Sequence, residues 1–340
     1  MTKDSINCTR ITIVTPSYNQ GDYIEDTILS VLNQGYPNLE YIIIDGGSTD
    51  QTVEIIQKYS HRLSFWVSEK DNGQSHAINK GFERATGSII NWLNSDDQLM
   101  PGALHRIAEL FQSNPDAMLI HGRIEYFGDT IPYRSKNLSK KDLELRYIAH
   151  ICMPQPATFY RRELLLEQGY LDESLQFSMD ADLFIRAGLH YKLLQVDDVF
   201  ARFRLHPMSK SVSGFNKNFL IENALIFSKV VTTLGMEKAI SELKKLDLFT
   251  EQNKLYIKPV KSFDQKKLVF YFLNHRLSTL FFRQDLKNFK RVFWYLLRFH
   301  FGKLVIAPKL WMYFLLFPFK NGFVYELYKR MGKVNQIIKS

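Results

Sequence analysis

Gly87-Ser88-Ile89-Ile90-Asn91-Trp92-Leu93-Asn94-Ser95-Asp96-Asp97 begins as a buried-strand run and ends in two adjacent carboxylates. Neighbouring acids repel, and each costs free energy to desolvate. Their position where an apolar strand meets a turn therefore points to a cation, Mg²⁺ or Mn²⁺, shared with a ligand. The alternative is that the pair caps a following helix, for which Pro101 suits the first turn and residues 103–111 the body.

Upstream of this run the chain alternates strands with helices. Residues 10–15 read as a β-branched strand. Asp22 then serves as an N-cap, with Glu25 three residues on, before a helix over 24–32. A second strand over 39–44 leads through the turn and cap Gly46-Gly47-Ser48-Thr49-Asp50 to a helix over 53–59. A third strand spans 63–67, a helix about 75–85, and the fourth strand 88–93. This rhythm implies right-handed crossovers and a mixed, mainly parallel sheet with helices on both faces, with ligands bound beyond the carboxyl ends of the strands. Thr15-Pro16-Ser17-Tyr18-Asn19, Asp45-Gly46-Gly47-Ser48 and Asn94-Ser95-Asp96-Asp97 all follow strand ends and can share one crevice. Later expectations are a strand over 117–126, helices near 140–148, 161–168 (ended by Gly169) and 180–189, one or two strands within 193–205, and a predominantly helical chain beyond 216.

Charge is unevenly distributed. Residues 261–340 hold 16 Lys and Arg against 3 Asp and Glu, so the net charge of +9 belongs to this tail, while residues 1–260 are net negative. The tail also holds 20 of the 47 aromatic residues, a combination suited to an anionic membrane surface. Cys8 and Cys152 form no metal or redox spacing, and the first seven residues lack a signal-peptide core. The chain thus reads as cytoplasmic. The greasiest run, 304–319, is broken by Pro308, Lys309 and Pro318 and is too short to span a bilayer.

The series Thr15-Pro16-Ser17-Tyr18-Asn19, Ser30-Val31-Leu32-Asn33-Gln34, Ile44-Asp45-Gly46-Gly47-Ser48-Thr49-Asp50, Asn79-Lys80-Gly81 and Leu93-Asn94-Ser95-Asp96-Asp97 resembles the family 2 glycosyltransferases of the type A (GT-A) fold over about the first 210 residues. The resemblance implies inverting transfer of a sugar from a nucleotide diphosphate sugar to an acceptor hydroxyl, with a divalent cation (Mn or Mg) on the diphosphate. It makes Asp97 the metal ligand, with Asp96 beside it toward ribose and metal, and sets Asn94 where the family often has an acid. Asp45 corresponds to the nucleobase-binding carboxylate, and Thr15, Pro16 and Tyr18 to the base and ribose pocket. Asp71-Asn72-Gly73-Gln74 matches a loop near nucleotide and donor sugar. Asn79 and Lys80 read either as a solvated helix face or, for Lys80, as a point charge toward a phosphate. Ser178-Met179-Asp180-Ala181-Asp182 resembles the segment carrying the catalytic base, here Asp180, with Met179 in place of the usual first acid and Asp182 as cap or as partner of Arg186 at i+4. Arg202-Phe203-Arg204-Leu205-His206 resembles the late strand whose His206 completes the metal site or touches the diphosphate, and Gln155 and Pro156 fall where an acceptor cleft is lined.

Two domains follow from this reading: residues 1–215, binding the nucleotide sugar, and a helical extension over 216–340. In the extension, cations interleave with rings from Lys287 to His300. These suggest peripheral attachment at the inner face of the cell membrane and a lipid-linked saccharide acceptor of a surface polysaccharide; a basic hairpin used for core or homodimer contact is the alternative. No nucleic-acid module is recognisable. Two other functional classes compete. A sugar-phosphate nucleotidyltransferase would carry a Gly-rich, Arg-containing loop after the first strand, whereas residues 15–21 hold one Gly and no Arg. A non-catalytic binding module would have no use for Asp180 alongside Asp96 and Asp97.

Overall fold

The structure is a computed structural model that describes residues 9–150, 152–209, 217–252, 255–282 and 285–305. The expected alternation is present as β1 (Ile11–Ser17), α1 (Ile24–Leu32), β2 (Leu39–Asp45), α2 (Thr52–Tyr59), β3 (Phe65–Ser68), α3 (Gln74–Arg84) and β4 (Ile89–Trp92). These strands lie in the order β3-β2-β1-β4, all parallel. The chain first adds strands on one side of β1 and then returns to the other, and that reversal opens a crevice beyond the ends of β1, β2 and β4.

The remainder of the N-terminal fold is β5 (Gln98–Leu99), α4 (Ala103–Ser113), β6 (Ala117–Gly128), β7 (Tyr133–Arg134), α5 (Leu143–Ala149), β8 (Thr158–Arg161), α6 (Glu163–Gln168), α7 (Met179–His190) and β9 (Lys192–Leu205). The sheet continues from β4 through β8, β6, β9 and β5, with β7 on β6. The β6–β9 pair is parallel and the other additions are antiparallel. The result is the mixed sheet expected, with its parallel part at the crevice.

Residues alternate between two cores because successive side chains leave opposite faces of a strand. Ile11, Ile13 and Ile43 meet Ile28 of α1, Ile56 of α2 and Ile107 of α4. Val14, Ile42 and Ile44 meet Ile78 and Phe82 of α3 on the other side. Each buried aliphatic side chain contributes about 1.5–3 kcal/mol. A Cβ at Gly81 would lie 2.3 Å from Val14 Cγ1, so glycine lets α3 settle against β1 with its first turn at the crevice.

The C-terminal helices α8 (Lys217–Thr233), α9 (Glu237–Lys245), α10 (Gln265–Phe282) and α11 (Leu286–Val305) extend this second core. Phe227, Leu243, Leu273, Phe293 and Leu296 share a cluster with Tyr147 of α5 and Phe184 of α7, and the Phe227 and Phe272 rings stack at 3.8 Å. Phe270, Tyr271, Phe272, Phe289 and Phe293 are buried, so part of the aromatic surplus of the tail serves the core. Among the described residues no helix is long and apolar enough to cross a membrane. The expected boundary at 215/216, Cys8 and the apolar run 311–319 lie outside the described residues.

Three local readings are corrected. Tyr23, not Asp22, occupies the cap position of α1, where the Gln20 carbonyl accepts the Tyr23 and Ile24 N–H groups. Glu25 instead accepts from Lys58 Nζ and the Tyr59 hydroxyl of α2, both at 2.6 Å. The acid pair does not cap α4, because β5 and a left-handed Gly102 (φ 77°) intervene.

Candidate active site

Two cavities open at the carboxyl end of the sheet. The first, about 640 Å³, lies over the ends of β1, β2 and β4. The second, about 600 Å³, lies between β6, β9, the 152–156 turn and the start of α7. Gln74, Asn94 and Phe203 line both, so the cavities meet there. Gln74 Nε2 donates to Asn94 Oδ1 at 2.9 Å.

Of the residues expected to bind a nucleotide sugar, Pro16, Tyr18, Asp71, Gly73 and Asp96 line the first cavity. Tyr18 sits at its rim, 59% exposed. Asp71 Oδ1 accepts the Gly73 N–H at 2.8 Å, shaping an Asx turn. A Cβ at Gly46 would come within 2.6 Å of the Asp71 carboxylate, so glycine permits this loop to close over the β2 turn.

Others lie behind the cavity wall. Asp45 is fully buried and accepts from the Gly47 and Ser48 N–H groups and from the Ser48 and Ser68 hydroxyls, so it builds the glycine turn from beneath. Thr15 is buried, with its hydroxyl 3.1 Å from that of Tyr41, and is not among the residues that line the cavity. Asn79 ties α3 to the 171–173 segment through the Leu171 carbonyl and N–H and the Glu173 carboxylate. Lys80 pairs with Glu69, whereas Lys70, which sequence reasoning passed over, lines the cavity. Its signal was its place immediately before the Asp71 loop. Asn72 is exposed, with its N–H donating to His76 Nδ1.

The acid pair divides. Asp97 is 1% exposed: Oδ1 accepts the Arg204 N–H at 3.0 Å, and Oδ2 has no partner among the described residues. Burial, and then the charge of Asp96, push its pKa well above the usual carboxylate range. Asp96 instead faces the cavity, with Oδ2 3.1 Å from His206 Nε2. The Arg204 clamp, which also donates from Nε to the Asp96 carbonyl at 3.0 Å, holds Asp97 inward. Tyr23 lies against the His206 ring at 4.5 Å. The Asp96 carboxylate with the His206 imidazole suits Mn²⁺ as a two-donor set, and the carboxylate alone suits Mg²⁺, the remaining positions falling to ligand oxygens and water. Among the described residues no group of three His, Cys, Asp or Glu side chains could enclose a metal unaided.

Asp180 lies in the first turn of α7 and lines the second cavity, with Oδ1 accepting the Ala181 N–H at 2.8 Å. Burial raises its pKa to about 6 against the pull of the backbone N–H, with Glu222 adding to the rise. Ser178 takes the cap position of α7. Asp182 is buried and accepts from Arg186 Nε at 2.9 Å, the expected i+4 pair, and from the Tyr256 hydroxyl at 2.7 Å. Gln155 and Pro156 line the second cavity. Gln155 Nε2 donates to the Trp92 carbonyl at 2.6 Å, while its buried Oε1 has no partner among the described residues.

Residues 12–169 match the model of glycosyl transferase family 2. A putative teichuronic acid biosynthesis glycosyltransferase, TuaG, of Bacillus subtilis is 39% identical over 115 residues, 33% of this chain and 46% of that protein. An uncharacterized glycosyltransferase of Nostoc sp. is 28% identical over 219 residues, 60% of this chain and 67% of that protein. The chain thus spans about half the length of TuaG and two thirds of the Nostoc relative. Among solved structures, S. aureus TarS 1-349 in complex with UDP-GlcNAc superposes with a TM-score of 0.54 at 18% identity, covering 80% of each chain. The mannosyltransferase PcManGT from Pyrobaculum calidifontis, in complex with GDP-Man and Mn2+, gives 0.50 at 15% identity over 93% of this chain and 88% of its own. At such identities the superpositions show a shared GT-A-like fold, while residues 12–169 form a segment similar to glycosyl transferase family 2.

Proposed function

We propose that the chain is an inverting glycosyltransferase that moves a sugar from a nucleoside diphosphate sugar to a hydroxyl of a lipid-linked saccharide in surface-polysaccharide assembly. The junction of the two cavities at Gln74, Asn94 and Phe203, with Asp96 and His206 on one side and Asp180 on the other, carries the reading. Inversion by direct displacement needs the leaving group and the incoming hydroxyl on opposite faces of the sugar carbon, and each cavity offers one of these positions. In this scheme Pro16 and Tyr18 hold the nucleoside, and Lys70 and the Gly46–Gly47 backbone face the diphosphate. Asp180 takes the proton of the acceptor hydroxyl, a contribution of roughly a hundred to ten thousand fold in rate. A divalent cation on Asp96 and His206 would offset the charge that builds on the departing diphosphate. The names of TuaG, TarS with UDP-GlcNAc and PcManGT with GDP-Man support both the donor class and a surface polymer as product.

Attachment to the inner membrane face rests on α11, which leaves Lys287, Lys290, Trp294 and Arg298 exposed along one side, with Phe299 beside them. Cations around a tryptophan suit an anionic lipid interface. Because the C-terminal helices share the core, truncation is a poor test; reversing charge in the full chain is better. Lys287→Glu with Lys290→Glu is expected to weaken binding to phosphatidylserine vesicles about tenfold. Unchanged binding rejects the surface, and loss of a dimer in sedimentation assigns it to a second copy instead.

The reaction is tested by incubating the full chain with Mn²⁺ and UDP-GlcNAc, UDP-glucose or GDP-mannose, with lipid-linked saccharide extracts as acceptor. Release of the nucleoside diphosphate supports transfer. Pyrophosphate would mark a nucleotidyltransferase, and neither product would mark a binding module.

A further inference from the structure

Glu222, on α8, reaches the loop that precedes Asp180. Its Oε1 accepts the Gln176 N–H at 2.8 Å, and its Oε2 accepts the Phe177 and Ser178 N–H groups at 2.9 and 2.8 Å. Three consecutive backbone donors leading into α7 thus converge on one carboxylate from a distant helix. Ser178 makes no side-chain cap of its own; its hydroxyl instead accepts from Asn223 Nδ2 at 3.2 Å, so α8 holds both the backbone and the side chain of the cap residue. Hydrogen bonds to an ionised carboxylate are roughly twice as strong as neutral ones. Asp180 follows Ser178 by two residues on the rigid first turn, so this clamp sets where its carboxylate stands against the cavity junction.

We infer that Glu222 is a positioning residue for the proton-accepting Asp180, fixing the backbone from which α7 starts and keeping a negative charge beside the base. The inference rests on the reading of Asp180 as the base. A nearby negative charge disfavours ionisation of a carboxylate and makes it the stronger base, the direction in which Glu222 acts on Asp180 after burial. Lys136 is the other charged group lining this cavity. On α7 itself, Asp182 and Arg186 are paired in the core, and Arg276 of α10 donates to the Leu220 carbonyl of α8. Glu222 lies beyond the segment matched by the family model, so this support comes from the C-terminal helices.

Two variants of the full chain test it, with whichever of UDP-GlcNAc, UDP-glucose or GDP-mannose the chain turns over. Glu222→Ala is expected to lower kcat about tenfold with donor KM unchanged, and to speed amide exchange over residues 176–182 but not 94–99. Glu222→Gln retains an acceptor oxygen and drops the charge, so the acid limb of its kcat profile should move to lower pH. Faster exchange with kcat and the acid limb both unchanged would show a merely structural contact and overturn the inference, as would two variants indistinguishable from the parent. If Glu222→Ala does not fold, the isosteric Gln variant decides through its acid limb alone. Asp180→Asn is the control. Full turnover there topples the base assignment and this inference together, whereas an inactive Asp180→Asn beside parent-like Glu222 variants topples the inference alone.

Discussion

The two cavities are built in opposite ways. The walls of the first come mostly from loops that directly follow β1, β2, β3 and β4, held by short-range hydrogen bonds such as those from the 46–48 turn to Asp45 and by bonds between neighbouring loops such as that from the Asn19 N–H to Ser48 Oγ. The second draws on β6, the 152–156 turn, the start of α7, β9 and Phe219 of α8, segments that meet only when the whole chain has folded. In the proposed scheme nucleotide binding therefore rests on loops at the strand ends, whereas the proposed base Asp180 depends on remote helices. The C-terminal region should be felt in turnover more than in donor affinity.

The largest effect that could break this contrast is at Asp180. Asp180→Asn should lower kcat by roughly a hundred to ten thousand fold in nucleoside diphosphate release, with donor KM unchanged. In the parent protein kcat should rise with pH through about 6 as Asp180 ionises. Stability should move the other way. A carboxyl whose folded pKa of about 6 exceeds its unfolded value destabilises the fold progressively as pH rises between the two, and the full cost is present above about 6. Asn removes that cost, so thermal melts at pH 8 should show a gain of about 1–2 kcal/mol, discounted for partial exposure, and none at pH 3.

Next comes the buried ion cluster that joins α7 to α8. Asp182→Ala leaves Arg186 and Lys229 without a shared carboxylate and should cost about 3–5 kcal/mol in denaturant unfolding. A loss below 1 kcal/mol would mean that the C-terminal helices are not coupled to α7 as the hydrogen bonds indicate.

On the donor side, Asp96→Ala should weaken Mn²⁺-dependent nucleotide binding about a hundredfold by calorimetry. An unaffected Kd would remove Asp96 and His206 from the cation site. The smallest effect sharpens the comparison by pairing two lysines. Lys70→Ala should raise donor KM about tenfold, while Lys80→Ala, whose partner is Glu69, should leave it within about twofold.

Much of the parallel half was readable beforehand. Strand and helix periods are local, and the glycine turn at 46–47 and the Gly169 stop require the positive φ that glycine supplies, 83° and 82° at Gly47 and Gly169. The start of α1 was misread because an acid in capping position is only one way to satisfy free N–H groups, and here the Gln20 carbonyl accepts two of them. The strand β5 escaped notice because two residues carry no period; its partner β9 is about a hundred residues away.

The amino-acid sequence by itself determined the alternating α/β architecture, the loops that gather at the strand ends and the residue types of the chemistry, because periodicity and turn preference act over a few residues. Only the tertiary structure decided that Asp96 rather than Asp97 faces the cavity, that Lys70 rather than Lys80 lines it, and that Glu222 holds the approach to Asp180. Which side of a turn or helix becomes cavity and which becomes core depends on what distant segments press against it, as Arg204 does on Asp97 and Glu69 on Lys80.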